Sequence, residues 1–430
     1  MDNKEKIAVA DTEDTATATP NDDAIRDAIG QMGIAKTIIL GAQHAITMFA
    51  DNILVPLLTG LSVSVALVMA GICTWLFHAI TKMKVPIILG SSFAFIAPML
   101  AVIAETGDPA YARGGIVIAG LIYIIFSFLF YKFGVDRVLS FFPPVVTGPI
   151  VISIGLSLAS TAVDMASSNW LIAGVAFITL IVISGFGKGY LQNVPILAAL
   201  ILGYVFAIVT KNVEFSGITE AAWIGMPDFS LAKFNWDAII VVVPVAIATI
   251  VEHVGSISAV SATVGENFTK DPGMHRTLLG DGVGTSLSAL VGGPANTAYS
   301  SNTGVLALSR VFDPVVIRIA AIILVLLGVI PKLSAVVHSV PTAVLGGIAL
   351  ATFGLIAAQG IRSIVDNRVD FSKIKNQLTA GCILMLSLGG DAVPGGMATA
   401  AIVGILIYKL LPDSDKSTKK KNKEKTEVKK

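Results

Sequence analysis

VPIILGSSFAFIAP, at residues 85–98, and GGPANTAYSSNTG, at residues 292–304, interrupt an otherwise apolar chain. Both stretches mix Gly, Ser, Pro and aromatic residues where a run of Leu or Ile would be normal in a spanning helix. Lipid cannot satisfy the backbone groups that a broken helix leaves free, so such segments must line a polar cavity or be buried in protein. A pair of Gly- and Pro-interrupted segments at matching places in two repeats is typical of a transporter's binding site.

The sequence around these stretches is that of a polytopic membrane protein. Only 14% of the 430 residues are charged, against about 25% in a soluble protein. A spanning helix needs about 20 apolar residues, and we predict fourteen such segments. Seven lie in residues 37–210 and seven in residues 238–411, on either side of a mostly polar connecting loop, 211–237. The remaining regions are an N-terminal tail, 1–36, and a Lys-rich C-terminal tail, 412–430.

The positions of Lys and Arg predict the orientation of these segments. With the N-terminus in the cytoplasm, the predicted outer loops hold only Arg113, Lys211, Lys233 and Lys332, and nearly all other basic residues lie inside. We therefore expect a multi-pass protein of the cell (inner) membrane with both termini cytoplasmic. Because seven is an odd number, the second half would enter from the opposite side. The predicted fold is thus all-α, with fourteen segments arranged as a 7+7 inverted repeat.

Several other classes of protein find little support in the sequence. The net charge is +1, which gives no reason to expect a nucleic-acid partner. Cys73 and Cys382 lie in apolar runs, so we expect neither a disulfide nor a metal site. Motifs for ATP binding, zinc hydrolysis and a serine nucleophile are missing from the sequence. We therefore expect no enzymatic activity and no cofactor.

Glu252 is the strongest functional candidate among the ionisable residues of the segments. It lies in IATIVEHVGSISAV, roughly 14 residues into the eighth segment and so near the centre of the bilayer. A charged carboxylate there is unfavourable, so we expect it to hold a proton, to bind a donor on a substrate, or to have a partner. The alternative is a structural carboxyl that bonds to a neighbouring helix.

Four other polar residues in the segments are weaker candidates. His253 points about 100° away from Glu252 on the helix and is predicted to be structural, whereas Ser256 shares the face of Glu252 and either shapes the pocket or packs. His44, in LGAQHAITMF, should face a cavity or another helix. Asp281, flanked by glycines in the ninth segment, is a candidate relay for a proton or another cation.

The chain resembles the nucleobase–ascorbate transporter family, and within it the bacterial uracil permeases. The resemblance rests on QHAITMF, GSSFAFIAP, VEHVG, DPGMHR, NTAYSSNTGV and FGLIAAQGIR, which occur in this order between residues 36 and 411. It implies a secondary active transporter that imports a nucleobase, with uracil as the first expectation, together with protons or sodium. It also implies core and gate domains, a short strand in each of the third and tenth segments, and dimerisation as a further expectation.

The resemblance also implies a set of substrate contacts. Glu252 matches the glutamate that binds the base, and His44 matches the histidine of the first span. Phe93 in the third segment and Ser300 in the tenth match positions whose backbone groups contact the base. Glu252 would connect proton uptake to binding, with Asp281 as a second residue in proton coupling.

Three positions depart from the pattern of uracil permeases. Ser301 stands where a glutamate is usual, Ser256 replaces a histidine, and Phe353 replaces a tyrosine. We include all three in the predicted site, and they leave the choice of base open, with xanthine or another purine as alternatives to uracil. Three further functions compete with nucleobase transport: an anion carrier of the same fold, a membrane-embedded enzyme and a passive channel.

Overall fold

The computed structural model describes residues 24–299, 301–389 and 396–412, with the backbone alone at 301 and 396–398. The described residues are mainly helical. The helices are α1 Ala28–Met32, α2 Ile34–Thr59, α3 Val63–Ile80, α4 Ile96–Thr106, α5 Pro109–Phe133, α6 Val135–Leu139, α7 Pro144–Ser157, α8 Ala159–Ser167, α9 Trp170–Phe186, α10 Pro195–Val209, α11 Ser216–Glu220, α12 Trp236–Val242, α13 Val245–Val264, α14 Met274–Leu290, α15 Ser301–Ser309, α16 Pro314–Gly328, α17 Pro331–His338, α18 Thr342–Asp366, α19 Ile374–Leu388 and α20 Gly396–Leu410. The strands are β1 Leu89–Ser91 and β2 Asn296–Ala298.

Many of these helices are suited to a bilayer. In the described part of the chain, six helical stretches are long and apolar enough to cross a membrane, and a seventh results if the bent pair α16–α17 forms one span. Four shorter apolar helices, in Phe93–Thr106, Trp170–Phe186, Pro195–Val209 and Thr399–Leu410, accompany them. The all-helical character of the prediction is thus confirmed, while the count of fourteen spans stays a prediction.

Local sequence signals set the ends of several helices. Asp108 caps α5 by accepting a hydrogen bond from the backbone of Ala110, and Pro109 occupies the first turn. At the C-terminal ends of α2 and α13, Gly60 and Gly265 adopt the left-handed conformation that ends a helix. These caps begin or end the helices at the short connections between apolar segments.

Small residues allow neighbouring helices to approach very closely. A Cβ atom on Gly71 of α3 would lie 2.4 Å from the carbonyl oxygen of Ala321 in α16. On Gly347 of α18, it would lie 2.2 Å from the carbonyl oxygen of Ala173 in α9. Helices in membranes associate through such contacts because lipid provides no hydrophobic driving force between them.

The two interrupted stretches meet as a small antiparallel sheet. Leu89 of β1 lies opposite Ala298 of β2, and Ser91 lies opposite Asn296. A helix follows each strand closely: a short 3₁₀ turn, Phe93–Phe95, leads from β1 into α4, and α15 begins soon after β2. The structure therefore contains a strand in each of the two segments where the family resemblance implied one.

Two regions differ from the sequence-based expectation. Residues 24–33, within the predicted tail 1–36, include α1 and form a bridge between Ile25 and Val311. The loop 211–237 was expected to be mostly polar, yet it exposes several large apolar side chains, among them Trp223 and Met226. The remainder of the N-terminal tail, 1–23, and most of the C-terminal tail lie outside the described residues.

Candidate functional site

The strand pair leaves backbone groups on its outer edges that need partners. Two strands of three residues bond to each other along one edge only, so alternate N–H and C=O groups point away from the pair. An unsatisfied group of this kind is costly when it is buried in a membrane protein. The helices whose side chains satisfy these groups therefore surround the candidate site.

Side chains of α2 and α3 cap the outer edge of β1. The N–H of Leu89 donates to Oγ1 of Thr74 at 2.9 Å, and the N–H of Ser91 donates to Oδ1 of Asn52 at 3.0 Å. Both side chains are fully buried. The amide nitrogen of Asn52 and the hydroxyl of Thr74 donate to carbonyls one turn back in their own helices, and this orients the oxygen of each side chain to accept from the strand.

Side chains of α14 cap the outer edge of β2. Asp281 accepts a hydrogen bond from the N–H of Ala298 at 3.0 Å, and Thr285 donates to the carbonyl of Asn296 at 2.6 Å. Asp281 and Thr285 are four residues apart and therefore lie on one face of α14. A buried carboxylate and a hydroxyl thus fix the position of β2 from one helix.

The strand pair brings two helix N-termini into the same region. The helical turn that starts at Phe93 follows β1, and α15 starts at Ser301 after β2. A helix N-terminus carries free N–H donors and a partial positive charge, so it attracts oxygen atoms with negative charge or partial negative charge. The ring of Phe93, which is half-buried, lies edge-on to that of Tyr299 at 5.9 Å between centroids.

Glu252 lies beside this region on α13, which contacts both β2 and the Phe93–Phe95 turn. The side chain is exposed, whereas those of His253 and Ser256 are buried. The position one turn further along the helix, Gly255, also borders open space. Glu252 is close enough to Asp281 and Tyr299 to interact electrostatically with both. Its carboxyl group is therefore available to a ligand next to the strand pair.

His44 connects α2 with the start of α15. Its Nδ1 lies 2.5 Å from Oδ1 of Asn302, and the amide nitrogen of Asn302 donates to the carbonyl of Pro86. Because that second bond fixes the amide, Nδ1 of His44 is the donor to Asn302. Within the described residues, Nε2 of His44 is buried without a hydrogen-bond partner.

Asp281 has a second partner in His253. Nδ1 of His253 lies 2.7 Å from Oδ2 of Asp281, and Nε2 lies 2.9 Å from the hydroxyl of Thr277. The side chains of His253 and Asp281 are completely buried. The pair joins α13 to α14, and through Ala298 it also joins both helices to β2. This contact between His253 and a neighbouring helix is of the structural kind that the sequence predicted for it.

For the other predicted site residues within the described part of the chain, the structure gives a position in the fold but no hydrogen bond to the strand pair. Ser256 is buried on α13, and Phe353 is buried on α18 where the backbone of that helix closely approaches Gly155 of α7. Ser300 lies outside the described residues, and for Ser301 the structure describes the backbone as the start of α15. The geometry thus brings Glu252, Phe93 and the start of α15 to one region, with His44 bonded at its edge.

Sequence reasoning missed the residues that hold the strands. Asn52, Thr74 and Thr285 have no functional motif around them, and polar residues of this kind commonly bond to their own helix. Asn302 was visible as the last residue of the Ser-Ser-Asn run, but its partner His44 is 258 positions away. A search for buried hydrogen-bonding residues in otherwise apolar helices would have included all four, without saying what they bond to.

Solved structures show the same fold in known transporters. The transmembrane domain of a cyanobacterial bicarbonate transporter is similar with a TM-score of 0.61, 17% identity and coverage of 90% of this chain and 98% of that one. A murine anion transporter of the solute carrier 26 family is similar with a TM-score of 0.65 and 10% identity, over 88% of this chain and 68% of that one. At these identities the likeness concerns the fold alone.

Sequence relatives are much more similar to this chain. A uracil permease of Bacillus caldolyticus is 40% identical over 402 residues, which cover 88% of this chain and 93% of that one. A putative pyrimidine permease of Escherichia coli (strain K12) is 37% identical over 402 residues, covering 89% and 90%. Residues 35–396 match the model of a family described as "Permease family". The family predicted from the motifs is confirmed: this chain belongs to the Permease family and is an integral membrane transporter.

Proposed function

We propose that this protein imports uracil, or a nucleobase closely related to it, by alternating access with Glu252 as the central binding residue. The position of Glu252 carries the proposal: its exposed carboxyl group lies on an apolar helix, α13, that contacts β2, the Phe93–Phe95 turn and α15. Further support comes from relatives that are named uracil permease and pyrimidine permease and are 35–40% identical to this chain.

The chemistry of the site matches a neutral planar base. Uracil carries ring N–H donors beside carbonyl acceptors. A carboxylate can accept hydrogen bonds from the N–H groups, and free amides at the helix N-termini can donate to the carbonyl oxygens. Phe93 offers an aromatic surface for the ring. In this proposal Glu252 contacts the base, while backbone groups near Phe93, Ser300 and Ser301 complete the contacts.

Further residues have supporting roles in the proposal. His44 positions Asn302 at the start of α15 through Nδ1, and in this proposal its Nε2, which has no partner within the described residues, serves as a contact for the substrate. Ser256 and Phe353 border the pocket and, with Ser301, select the ring that fits. Because these three differ from the usual residues of uracil permeases, xanthine or another purine belongs in any test of substrate choice.

We propose that protons drive transport, with Glu252 as the residue that takes up the proton and Asp281 as part of the same electrostatic network. Glu252 is suited to this task because a neutral carboxyl is tolerated in a membrane interior far better than a charged one. In this proposal the ionised carboxylate binds the base, and the proton that Glu252 then takes up removes the charge before the loaded site opens to the other side of the membrane. Sodium is the alternative coupling ion.

The proposed architecture is the fourteen-segment inverted repeat with both termini in the cytoplasm. The repeats would be residues 37–210 and 238–411, joined by 211–237. Support comes from the antiparallel pairing of β1 with β2 and from the helix that follows each strand, since repeats of opposite orientation would bring equivalent strands together in this way. A homodimer is the proposed assembly, to be measured by cross-linking in membranes.

One experiment tests substrate and coupling together. The purified protein in proteoliposomes would be given labelled uracil, thymine, xanthine and bicarbonate under an imposed proton or sodium gradient. We expect uptake of uracil or another nucleobase under the proton gradient, and its collapse with a protonophore. Transport of bicarbonate without any nucleobase would instead favour the anion carriers that share the fold.

Replacement of Glu252 tests its central role. Glu252→Gln removes the charge-assisted hydrogen bond to the base, worth about 1.5–3 kcal/mol, so affinity should fall roughly 10- to 100-fold. Proton-driven accumulation should also disappear. Glu266→Gln is the matched control, because Glu266 is an exposed carboxylate just beyond the end of the same helix. Full proton-coupled uptake by Glu252→Gln would refute the assigned role.

A further inference from the structure

The connection between the two halves of the chain carries an unusual density of exposed apolar side chains. We call residues 222–236 the strap. Within these 15 positions, five large apolar residues are at least 70% exposed: Trp223 at 72%, Ile224 at 83%, Met226 at 83%, Leu231 at 73% and Trp236 at 78%. Two of the four tryptophans of the whole chain are among them. Exposed apolar patches of this kind mark surfaces that meet lipid or another protein.

The backbone of the strap is fixed in place. Its hydrogen bonds run from the N–H of Gly225 to the carbonyl of Val329 (3.2 Å), from Ser230 to Val291 (3.1 Å) and from Lys233 to Ala110 (2.9 Å). Arg113, which is buried, adds a bond of 2.7 Å to the carbonyl of Ser230. The exposure of the apolar side chains therefore follows from a defined conformation of the strap.

These bonds place the strap at the ends of three helices. Val291 directly follows α14, Val329 directly follows α16, and Ala110 lies in the first turn of α5. On α16, whose C-terminal end bonds to the strap through Val329, Ile322 and Leu326 are also exposed. In a membrane transporter, exposed apolar side chains on such a helix are expected to meet lipid, which argues for lipid as the partner of the strap as well.

The conformation of the strap limits its depth in the bilayer. Residues 226–235 form neither helix nor strand, and an irregular backbone that faces lipid is not found in the hydrocarbon region. Lys233 of the strap also pairs with Asp108 at 2.8 Å, so this end lies where ionic groups are tolerated. Tryptophan is enriched at the boundary between headgroups and acyl chains, where its ring meets apolar and polar surroundings together.

We propose that residues 222–236 lie in the interfacial layer of one bilayer leaflet, with Trp223 and Trp236 inserted among the lipid headgroups and upper acyl chains. The connection between the halves of the chain is then a lipid anchor of the helices α5, α14 and α16. This proposal concerns lipid contact alone and does not depend on the transported substrate.

Tryptophan fluorescence tests the proposal directly. Four proteins would each retain one tryptophan, with the other three changed to Phe. They would be reconstituted in phosphatidylcholine vesicles whose acyl chains carry bromine either near the headgroup or near the chain end. Trp75, within the spanning helix α3, serves as the reference for a tryptophan at greater depth. Monodisperse elution and circular dichroism would establish that each protein is folded.

We expect bromine near the headgroup to quench Trp223 and Trp236 more strongly than bromine near the chain end, with little quenching by aqueous iodide. Strong quenching by iodide without quenching by brominated lipid would place the strap in water and overturn the proposal. Protection from both quenchers would also overturn it, because it would indicate a protein cover such as a second copy of the chain. Each outcome leaves the proposed transport activity to its own test.

Discussion

At the scale of single residues, His253 shows how a buried polar group is stabilised in this protein. Its Nδ1 faces the carboxylate of Asp281, and its Nε2 faces the hydroxyl of Thr277. The hydroxyl proton of Thr277 has an acceptor of its own, the carbonyl of Met274 at 3.0 Å. Both ring nitrogens of His253 therefore have hydrogen-bonding partners, and both partners, Asp281 and Thr277, lie on α14.

Loss of His253 should destabilise the protein strongly. His253→Phe keeps a ring of similar size but removes the buried hydrogen bond between Nδ1 and Asp281, and leaving a buried polar group without its partner costs about 1–3 kcal/mol. We expect a large decrease in the melting temperature of the purified protein in detergent, measured by circular dichroism. His338→Phe, at an exposed histidine, should leave the melting temperature nearly unchanged. Equal melting of His253→Phe and the unmodified protein would show that the pair contributes little.

Glu252, His44 and Asp281 stood out in the sequence as candidates because ionisable residues in apolar segments are few. It did not identify the partners. His253 and Asp281 are 28 positions apart on two helices, and their contact depends on how α13 and α14 rotate and cross. A single helix pattern carries no information about that rotation, so the predicted relay residue Asp281 could not be recognised as the anchor of β2.

At the scale of elements, four side chains from neighbouring helices hold the outer edges of the strand pair by hydrogen bonds. Asn52 and Thr74 bond the edge of β1, while Asp281 and Thr285 bond the edge of β2. The interruptions of the two segments by Gly, Ser and Pro were sufficient to predict irregular backbone. The antiparallel register was not predictable, since it depends on these capping residues in other helices.

Removal of one cap tests the importance of these bonds to the strand pair. Thr285→Val has almost the same shape but leaves the buried carbonyl of Asn296 without its donor, at a cost of about 1–3 kcal/mol. We expect a lower melting temperature and weaker binding of the nucleobase, because β2 borders the proposed site. Thr263→Val is the control, since the hydroxyl of Thr263 bonds only to its own helix at Ala259. Similar effects of both substitutions would argue against a special role for the cap.

The contact between the strap and α5 should depend on pH. The hydrogen bond from Lys233 lowers the pKa of Asp108, and a second bond from the N–H of Ala110 acts in the same direction. Because the folded-state pKa is the lower one, the ionised pair stabilises the fold above the unfolded-state pKa of about 3.9, and this stabilisation is lost as the pH falls through the folded-state value. An exposed pair of this kind contributes little in total.

Lys233→Met should therefore lower the melting temperature slightly at neutral pH. The difference from the unmodified protein should begin to shrink below about pH 4 and disappear once the pH has fallen through the lowered pKa of Asp108 in the folded protein. Melting curves at several pH values measure this directly. Lys332→Met is a control of the same type, because Lys332 lies over the ring of Trp223 at 4.8 Å and so interacts with an aromatic ring. A difference for Lys233→Met that persists in acid would exclude the ion pair as its cause.

At the scale of the whole molecule, two groups of helices pack tightly within themselves. Glycines bring α3 against α16 and α5 against α14 in the group that carries the strand pair, through Gly71 and Gly120. Gly155 and Gly347 bring α18 against α7 and α9 in the other group. Between the groups, a Cβ atom on Gly304 of α15 would meet the side-chain amide of Asn193, which can rotate away, whereas a backbone carbonyl cannot. This difference supports the proposed division into a core and a gate.

The segment Gly189–Asn193, between α9 and α10, forms polar contacts across the two groups. The hydroxyl of Tyr190 donates to the carbonyl of Gln43 in α2 and lies 3.1 Å from the hydroxyl of Thr47. Gln43 directly precedes His44, so these contacts lie close to the proposed binding site. If alternating access moves one helix group against the other, this contact must break and form again in each transport cycle.

Here the closed arrangement is the one in which Tyr190 contacts α2, and the open arrangement is the one in which this contact is broken. Tyr190→Phe should shift the equilibrium between them towards the open arrangement. It removes a hydrogen bond worth about 1 kcal/mol, which corresponds to a roughly fivefold change in the equilibrium. A cysteine placed at Asn193, in a protein whose Cys382 is changed to Ser, would report opening through its reaction with a membrane-impermeant maleimide. We expect faster labelling in Tyr190→Phe than in the protein with Tyr190. Bound nucleobase should slow labelling in both proteins, because a substrate that binds the closed arrangement better stabilises it.

Tyr204→Phe is the matched control for this experiment. The hydroxyl of Tyr204 in α10 lies 2.6 Å from that of Ser339, between α17 and α18. Loss of this bond removes the same chemical group at a contact that involves neither α2 nor the segment Gly189–Asn193. Labelling at position 193 should then stay at the level of the protein with Tyr204. If Tyr204→Phe accelerates labelling as much as Tyr190→Phe does, the effect is general loosening, and Tyr190 does not hold the groups together.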